Sequence, residues 1–210
     1  MTSAAPRQLV LATHNAHKVA ELRRILAEAG LGDLEILDMG AFPQVPDVVE
    51  TGVTFVENAM LKAHAVAAAT GLPAVADDSG LGVDVLGGAP GVFSARWSGK
   101  HGDDAANLNL LLQQLSDVPD VHRTAWFGCA AVVALPDGRE RIAQGRLVGT
   151  LVREPRGGNG FGYDPIFVPE GLAVTSAELS PADKDAISHR GRAFRELAPL
   201  VVELLAGNSS

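Results

Sequence analysis

The sequence predicts an α/β fold in which a mixed central β-sheet is flanked by helices. Short apolar runs alternate with helical segments in the first half of the chain, and two long extended runs joined by a Pro-Asp-Gly turn at 136–138 come later. Strands separated by helices become parallel neighbours, whereas strands joined by a tight turn become antiparallel neighbours. The 210 residues contain no repeat and no clear linker, so we expect a single domain over residues 1–210.

The first elements follow from apolar spacing. The run QLVLAT at 8–13 predicts a buried strand, and LEILDM at 34–39 predicts a second strand. The segment between them predicts a helix that stops at Gly30, because apolar residues recur at helical spacing at Val19, Leu22, Ile25, Leu26 and Ala29.

A second helix is predicted over Thr54 to Thr70. It opens with Thr54-x-x-Glu57, which has the pattern of a capping box, and Gly71 should end it. The next run, LPAVADD, predicts a strand that ends at its two acids. Residues 85–99 are rich in Gly and Pro and predict a long irregular loop, after which Asp103 should cap a third helix.

The second half predicts the hairpin, a glycine-rich loop and two helices. The runs RTAWFGCAAVVAL and RERIAQGRLVGTLV form the hairpin, and RGGNGFGYDP at 156–165 forms the loop. Ser180-Pro181 should start a short helix with the usual cap and proline. A last helix is expected over Arg190 to Leu205, with a kink or a break at Pro199.

Composition excludes several classes of protein. The net charge of −8 argues against a nucleic-acid partner, which would need a basic surface. No signal peptide is recognisable, and no apolar run approaches the roughly 20 residues that span a bilayer, so we expect a cytoplasmic protein without membrane association. The lone Cys129 excludes an internal disulfide, and its apolar surroundings favour a core thiol over a nucleophile.

The junction between the first strand and the first helix is a candidate phosphate site. A helix start presents unpaired backbone N–H groups and a positive dipole end, and Lys18 adds a cation. The alternative is that Asn15 only caps the helix and Lys18 is solvated. The candidate residues are Thr13, His14, Asn15, Ala16, His17 and Lys18.

Two further patterns suit phosphate and metal. Asn58 and Lys62 are four residues apart and therefore share one helix face, which either turns to a polar cleft or lets the lysine reach solvent. Asp77 and Asp78 are adjacent, so strand alternation directs them to opposite faces. Carboxylate oxygens suit Mg²⁺, and a buried acid pair needs a cation.

Two groups of residues nearer the C-terminus suit the binding of a nucleobase. Phe161 and Tyr163 could supply stacking surfaces, and Asp164 could accept from a base N–H; the alternative is a turn with aromatic rings tucked under it. Donors of Lys184 and of the segment Ser188-His189-Arg190 could bond purine carbonyl oxygens, unless they are exposed capping charges.

Taken in order, these stretches resemble the inosine/xanthosine triphosphate pyrophosphatase family. The matching segments are LATHNAHKVAEL, ETGVTFVENAMLKA, PAVADDSGLGVDVLGGAPGVFSARWSG, GGNGFGYDPIF and AISHRGRA, and the resemblance runs from about Leu9 to Leu205. It implies a dimeric Mg²⁺-dependent hydrolase with two lobes around a substrate cleft. Such an enzyme would convert ITP, dITP and XTP to the monophosphate and pyrophosphate and so remove them from the nucleotide pool.

The resemblance also assigns roles to residues of this chain. It implies that Asp78 is the catalytic acid, that Glu50 lies near the same Mg²⁺ and that Lys18 and Lys62 neutralise phosphate. The residues implied to bind substrate are Thr13 to Lys18, Ser79, Phe161, Gly162, Tyr163, Asp164, Lys184, His189 and Arg190. Asn58, which shares a helix face with Lys62, is a further candidate for substrate binding. Two alternatives stay open: the same fold acting on other modified nucleoside triphosphates, and a nucleotide sensor without turnover.

Overall fold

In a computed structural model, the protein forms six strands and five α-helices within the part of the chain that is described, residues 8–13, 16–28 and 34–206. The strands are β1 Gln8–Leu11, β2 Glu35–Asp38, β3 Ala74–Val83, β4 Thr124–Ala134, β5 Glu140–Leu151 and β6 Phe167–Pro169. The helices are α1 Ala16–Glu28, α2 Phe55–Thr70, α3 Asp104–Gln114, α4 Pro181–Ile187 and α5 His189–Ala206.

The six strands form one sheet in the order β2-β1-β3-β4-β5-β6. β1 pairs in parallel with both β2 and β3, whereas β5 and β6 pair antiparallel. The connections from β1 to β2 and from β2 to β3 contain the helices α1 and α2, as the alternation of elements predicts. The sheet is therefore mixed, which confirms the predicted fold class.

The chain divides into two compact units, and β3, β4 and β5 each contribute residues to both. The first unit comprises Met1–Asp78, Ala130–Gln144 and Gly191–Ser210, and its core is rich in small side chains of α2 and of the strands: Ala59, Ala63, Ala67, Ala76, Ala130 and Val132. Alanines allow a helix to lie close to a sheet.

The second unit comprises Ser79–Cys129 and Gly145–Arg190. Its core is built from larger side chains, which include Leu81, Leu111, Phe127, Tyr163 and Phe167. The expected single domain over 1–210, and the cleft that the family resemblance implies, stay predictions.

Helix α2 begins and ends where the sequence predicts. The Thr54 hydroxyl accepts from the Glu57 N–H at 3.1 Å, and the Glu57 carboxylate accepts from the N–H groups of Val53 and Thr54. Gly71 follows the helix in the left-handed conformation at φ 69°. The predicted capping box and stop signal are both confirmed, so the helix that carries Asn58 and Lys62 is locally well determined.

Residues 84–99 are more regular than predicted. They contain two 3-10 helices, Asp84–Leu86 and Gly91–Arg96. The Ser94 hydroxyl accepts from the Leu81 N–H at 2.9 Å, and the Asn107 side chain accepts from Ser98 and donates to the Ala95 carbonyl. Side-chain hydrogen bonds thus replace the regular backbone hydrogen bonds that this segment, rich in Gly and Pro, lacks.

Helix α5 runs through Pro199 without a break, so of the predicted kink or break the break is wrong and the kink stays a prediction. Phe194, Leu197 and Val201 on this helix are completely buried. Their burial is worth about 1.5–3 kcal/mol per side chain, which together exceeds the roughly 3 kcal/mol cost of an interior proline. Packing therefore keeps the helix whole.

Candidate active site

The two adjacent acids lie in the middle of β3 rather than at its end. β3 continues to Val83, so the prediction that the strand stops at Asp77 and Asp78 is wrong. The reason is that Ser79 and Gly80 extend the strand instead of turning it. Because the strand continues, neighbouring side chains must leave it on opposite sides, and the two acids have different partners.

Asp78 is nearly buried, with 8 % of its surface exposed. Its Oδ2 accepts from Asn58 Nδ2 at 3.1 Å, and its Oδ1 lies 3.7 Å from Lys62 Nζ. Both partners come from one face of α2, as their four-residue spacing predicts. Burial raises the pKa of Asp78, an effect that the positive charge of Lys62 opposes without cancelling.

Lys62 joins Asp78 to Glu50. Its Nζ donates to Glu50 Oε1 at 2.6 Å. Burial alone would lower the pKa of Lys62, but the nearby carboxylates of Asp78, Asp77 and Glu50 outweigh it and raise the pKa overall. The ammonium is therefore charged at neutral pH and stands between two carboxylates.

Asp78 and Glu50 are suited to a hard divalent cation. One oxygen of Glu50 and one of Asp78 lie 2.6 Å and 3.7 Å from the same Lys62 ammonium, and Mg²⁺ takes one or two protein carboxylates together with phosphate oxygens and water. Among the described residues, no group of three or more His, Cys, Asp or Glu side chains could hold a metal ion. The donor set thus fits an ion shared with a phosphate better than a closed protein cage.

Asp77 binds Lys18. Its Oδ2 accepts from Lys18 Nζ at 3.0 Å, and the Asp77 side chain is almost completely buried. Lys18 lies in the first turn of α1, so the strand-to-helix junction carries a cation as predicted.

Thr13 precedes this strand-to-helix junction. His14 and Asn15 lie outside the described residues, as do the side chains of Ala16 and His17. We call Lys18, Glu50, Asn58, Lys62, Asp77 and Asp78 the carboxylate–lysine cluster.

A second set of predicted residues lies in the second unit, around the loop at 157–165. Asp164 Oδ2 accepts from the Phe161 N–H at 2.8 Å and from Lys184 Nζ at 2.6 Å. Gly160 has φ 76°, and a Cβ there would collide with the Asp164 carboxylate. The glycine-rich sequence therefore allows the loop to close tightly on Asp164.

Phe161 is the exposed aromatic ring of this loop, with 36 % of its surface accessible. Lys184 Nζ lies 5.1 Å and the Arg190 guanidinium carbon 5.6 Å from its ring centroid. An exposed flat ring with two cations beside it can stack a planar, electron-rich ligand.

Tyr163, in contrast, is a core residue with 4 % exposure. Its hydroxyl donates to the Ser94 carbonyl at 2.9 Å, and burial raises its pKa. The Tyr163 ring is thus committed to packing, and any substrate contact at this position would come from its backbone. The adjacent Gly162 N–H donates to the Asp104 carboxylate at 2.8 Å.

His189 and Arg190 open α5 and are both buried. Arg190 Nη2 donates to Ser79 Oγ at 2.8 Å. The His189 ring stacks on Phe127 with the centroids 4.9 Å apart and the planes at 12°. We call Ser79, Phe161, Asp164, Lys184, His189 and Arg190 the Phe161 cluster.

The sequence does not indicate the contacts that Phe127 and Asp104 make in the Phe161 cluster and its loop. Phe127 lies in an apolar run and reads as an ordinary core residue. Asp104 follows the predicted helix cap Asp103 and reads as a favourable acid of the first turn. No local sequence signal indicates that Phe127 stacks on His189 or that Asp104 accepts a hydrogen bond from the Gly162 N–H. Cys129 is buried, in agreement with the predicted core thiol.

No helix in the described part of the chain is long and apolar enough to cross a membrane.

Comparisons with known proteins cover nearly the whole chain. Residues 9–200 match the model of the Ham1 family. The dITP/XTP pyrophosphatase of Streptomyces avermitilis is 67 % identical, and the match covers 94 % of this chain and 98 % of that protein. The dITP/XTP pyrophosphatase of Mycobacterium tuberculosis is 54 % identical over 95 % of this chain and 98 % of its own.

Solved structures agree with this relationship. A HAM1 protein from Coxiella burnetii superposes with a TM-score of 0.85 at 43 % identity, over 94 % of this chain and 99 % of that chain. The nucleoside-triphosphatase (dITP/XTP pyrophosphatase) of Mycobacterium abscessus gives 0.76 at 51 % identity, over 92 % and 99 %. The sequence match and the shared fold lead to one conclusion: this chain belongs to the Ham1 family.

Proposed function

We propose that this protein hydrolyses deaminated purine nucleoside triphosphates, ITP, dITP and XTP, to the monophosphate and pyrophosphate. The observation that carries the proposal is the buried Asp78 carboxylate, which is bonded to Asn58 and faces Lys62 and, through it, Glu50. A buried acid beside a cation and a second carboxylate suits phosphoanhydride hydrolysis. The names of relatives up to 67 % identical support the substrate class.

A divalent cation is the expected cofactor of a nucleoside triphosphate pyrophosphatase, and we propose Mg²⁺. Asp78 and Glu50 would hold it, since they offer hard oxygen ligands. Bound there, Mg²⁺ would supply positive charge to the phosphate oxygens and orient them.

The residues of the carboxylate–lysine cluster have separate tasks in this proposal. Asp78 orients the attacking water or takes its proton, and attack falls on the α-phosphorus. Lys18 and Lys62 stabilise the negative charge that develops on the departing pyrophosphate. Asp77 holds Lys18 for this task through their 3.0 Å hydrogen bond. Thr13 to Lys18 bind the triphosphate at the start of α1.

The Phe161 cluster would recognise the base. Phe161 stacks on it, and Lys184, His189 and Arg190 present donors to a purine with a 6-oxo group. Asp164 shapes the loop and holds Lys184 through their 2.6 Å contact. Adenine carries an amino donor at position 6, and each unmatched donor would cost about 1–3 kcal/mol, so ATP is rejected.

A panel of triphosphates tests the substrate class. Pyrophosphate release should be fastest with dITP and XTP, slow with ATP, and about 100-fold slower or more for each of them in Asp78→Asn. Faster release from a modified pyrimidine triphosphate would assign the same fold to another substrate. Tight binding of dITP without pyrophosphate release would identify a nucleotide sensor instead.

We also propose that residues 1–210 act as one pyrophosphatase domain, as a homodimer in the cytoplasm, without a nucleic-acid or membrane partner. The family resemblance supports the dimer. The net charge of −8 supports the absence of a nucleic-acid partner. Light scattering of the purified protein tests the dimer, and a mass of about 22 kDa in solution, that of the 21.8 kDa chain alone, would contradict it.

A further inference from the structure

Asn58 lies in the first turns of α2 and is completely buried, with 0 % exposure. Both ends of its side-chain amide are used inside the protein. Nδ2 donates to Asp78 Oδ2 at 3.1 Å, and Oδ1 accepts from the Gly52 N–H at 2.8 Å. This side chain has no surface with which to contact a substrate, although its position on the helix face of Lys62 makes it a candidate for substrate binding.

The second of these bonds reaches the segment that carries Glu50. Gly52 lies two residues after Glu50, and a Cβ at Gly52 would fall 2.7 Å from Asn58 Oδ1 and 2.6 Å from the Glu57 Cβ. Real Cβ atoms do not approach so closely, so only glycine fits at position 52, where the backbone lies against the start of α2. One side chain thus ties the Glu50 segment to the start of α2 and, with its other end, to Asp78.

The chemistry of an amide suits these two partners. A backbone N–H needs an acceptor and a carboxylate needs a donor, and asparagine offers one of each at a fixed separation. Leucine has nearly the same shape but bonds neither partner, so it would remove one hydrogen bond from the partly buried Gly52 N–H and one from the buried Asp78 carboxylate. The bond to Oδ2 also fixes the rotation of the Asp78 carboxylate, so that Oδ1 is the oxygen that faces Lys62.

We propose that Asn58 is a positioning residue that holds Asp78 and Glu50, the two carboxylates assigned to the metal, in one arrangement. The inference rests on the proposed function only in assigning those carboxylates to a cation. Groups that orient metal ligands by hydrogen bonds typically change metal affinity or activity by 10- to 100-fold when they are removed. Asn58 acts on both ligands at once, directly on Asp78 and through the backbone of Gly52 on Glu50.

The test compares Asn58→Leu with the matched control Asn107→Leu. Asn107 is also a buried helical asparagine at 1 % exposure that accepts from a backbone N–H and donates to an oxygen, but its partners are Ser98 and Ala95 rather than an acid. Binding of Mn²⁺ to the protein without nucleotide is measured by electron paramagnetic resonance. Asn58→Leu should weaken it about 10-fold or more, and Asn107→Leu should leave it unchanged.

Gly52→Ala provides a second variant in case Asn58→Leu folds poorly. The added methyl group would push Asn58 Oδ1 away while every side chain of the cluster remains, so the Mn²⁺ affinity should again fall. Steady-state assays with dITP should show a matching rise in the Mg²⁺ concentration for half-maximal rate, with KM for dITP at saturating Mg²⁺ nearly unchanged.

Two results would overturn the proposal. One is an equal effect of Asn58→Leu and Asn107→Leu on Mn²⁺ affinity, which would indicate only a loss of stability. The other is a raised KM for dITP in Asn58→Leu with unchanged Mn²⁺ affinity, which would indicate that Asn58 acts in substrate binding. If the wild type releases no pyrophosphate from any triphosphate, yet Asn58→Leu still weakens Mn²⁺ binding selectively, the proposed function fails and the positioning role stands.

Discussion

Asp77 accepts a hydrogen bond from Lys18 at 3.0 Å, whereas the next residue along the strand accepts from Asn58 and faces Lys62. The two acids of the doublet are thus divided between two lysines from different helices. Strand alternation is the cause, because β3 continues through both residues and sends their side chains to opposite sides.

This division predicts different kinetic effects for the two acids. Asp78→Asn should lower kcat for dITP hydrolysis about 100-fold or more, because it removes the group that orients or deprotonates the water. Asp77→Asn should mainly raise KM for dITP, because it loosens Lys18 but leaves Asp78 in place. Steady-state kinetics at saturating Mg²⁺ measure both. An equal loss of kcat in the two variants would contradict the division.

Lys62→Met should destabilise the protein and make its stability depend on a metal. The variant leaves Glu50 and Asp78 without their shared ammonium, which should cost about 2 kcal/mol at neutral pH, less than for a fully buried pair. Added Mg²⁺ should recover more stability in the variant than in the wild type, because it replaces the missing charge. Urea denaturation with and without Mg²⁺ measures this.

The raised pKa of Lys62 sets the pH range over which wild type and Lys62→Met should differ in the free energy of unfolding. A cation whose pKa is higher in the folded state stabilises the fold fully below its ordinary value of 10.5, and the contribution disappears as the pH rises through the folded value. The difference in the free energy of unfolding between wild type and Lys62→Met should therefore be constant from pH 7 to about pH 9. Lys100→Met is the control, since Lys100 is 81 % exposed and should change stability little.

Lys62→Met should also shift the acid limb of the pH–rate profile. Burial raises the pKa of Asp78, and Lys62 is the strongest influence that lowers it. Without the lysine the Asp78 carboxyl should protonate at a higher pH, so kcat/KM for dITP should fall at a higher pH than in the wild type. Lys62→Arg keeps the charge and should keep the limb close to its original position. An unshifted limb in Lys62→Met would mean that another group limits activity in acid.

Phe127→Leu should weaken base selection. The stacked Phe127–His189 pair orients the imidazole, and such pairs contribute about 0.5–1.5 kcal/mol beyond their buried area. We expect kcat/KM for dITP to fall about 3- to 10-fold, with a smaller change for ATP. Phe194→Leu removes a fully buried ring of α5 outside the Phe161 cluster and should leave the dITP/ATP ratio unchanged. A ratio that falls equally in both variants would reduce Phe127 to a general core residue.

Arg123→Met should be strongly destabilising. The buried Arg123 guanidinium donates to the carbonyls of Leu115, Leu151 and Val152 at 2.7–3.2 Å, and the variant would remove one hydrogen-bond donor from each of the three. We expect a loss of about 3 kcal/mol or more in the free energy of unfolding. Arg153 also bonds carbonyls but its side chain is half exposed, so Arg153→Met should cost about 1 kcal/mol or less. Equal losses in urea denaturation would refute the dependence on burial.

Much of the fold could be read from local patterns, and the failures have physical causes. The capping box of α2, the cap of α3 by Asp103 and the turn at 136–138 were predicted and are present, because each depends on neighbours within a few residues. The three-residue strand β6 was missed because it is too short to show a period. β3 runs further than predicted and α5 is not broken at Pro199, because packing outweighs local breaking signals.

For the candidate site, the sequence by itself determined the types of residue: acids on a strand, lysines on helices and an aromatic loop rich in glycine. It also determined that Asn58 and Lys62 share a helix face and that the acid doublet must divide, since both follow from the periods of helix and strand. Only the tertiary structure decided the partners. It paired Asp77 with Lys18, committed Tyr163 to the core and enclosed Asn58, because those contacts join residues 20 or more positions apart.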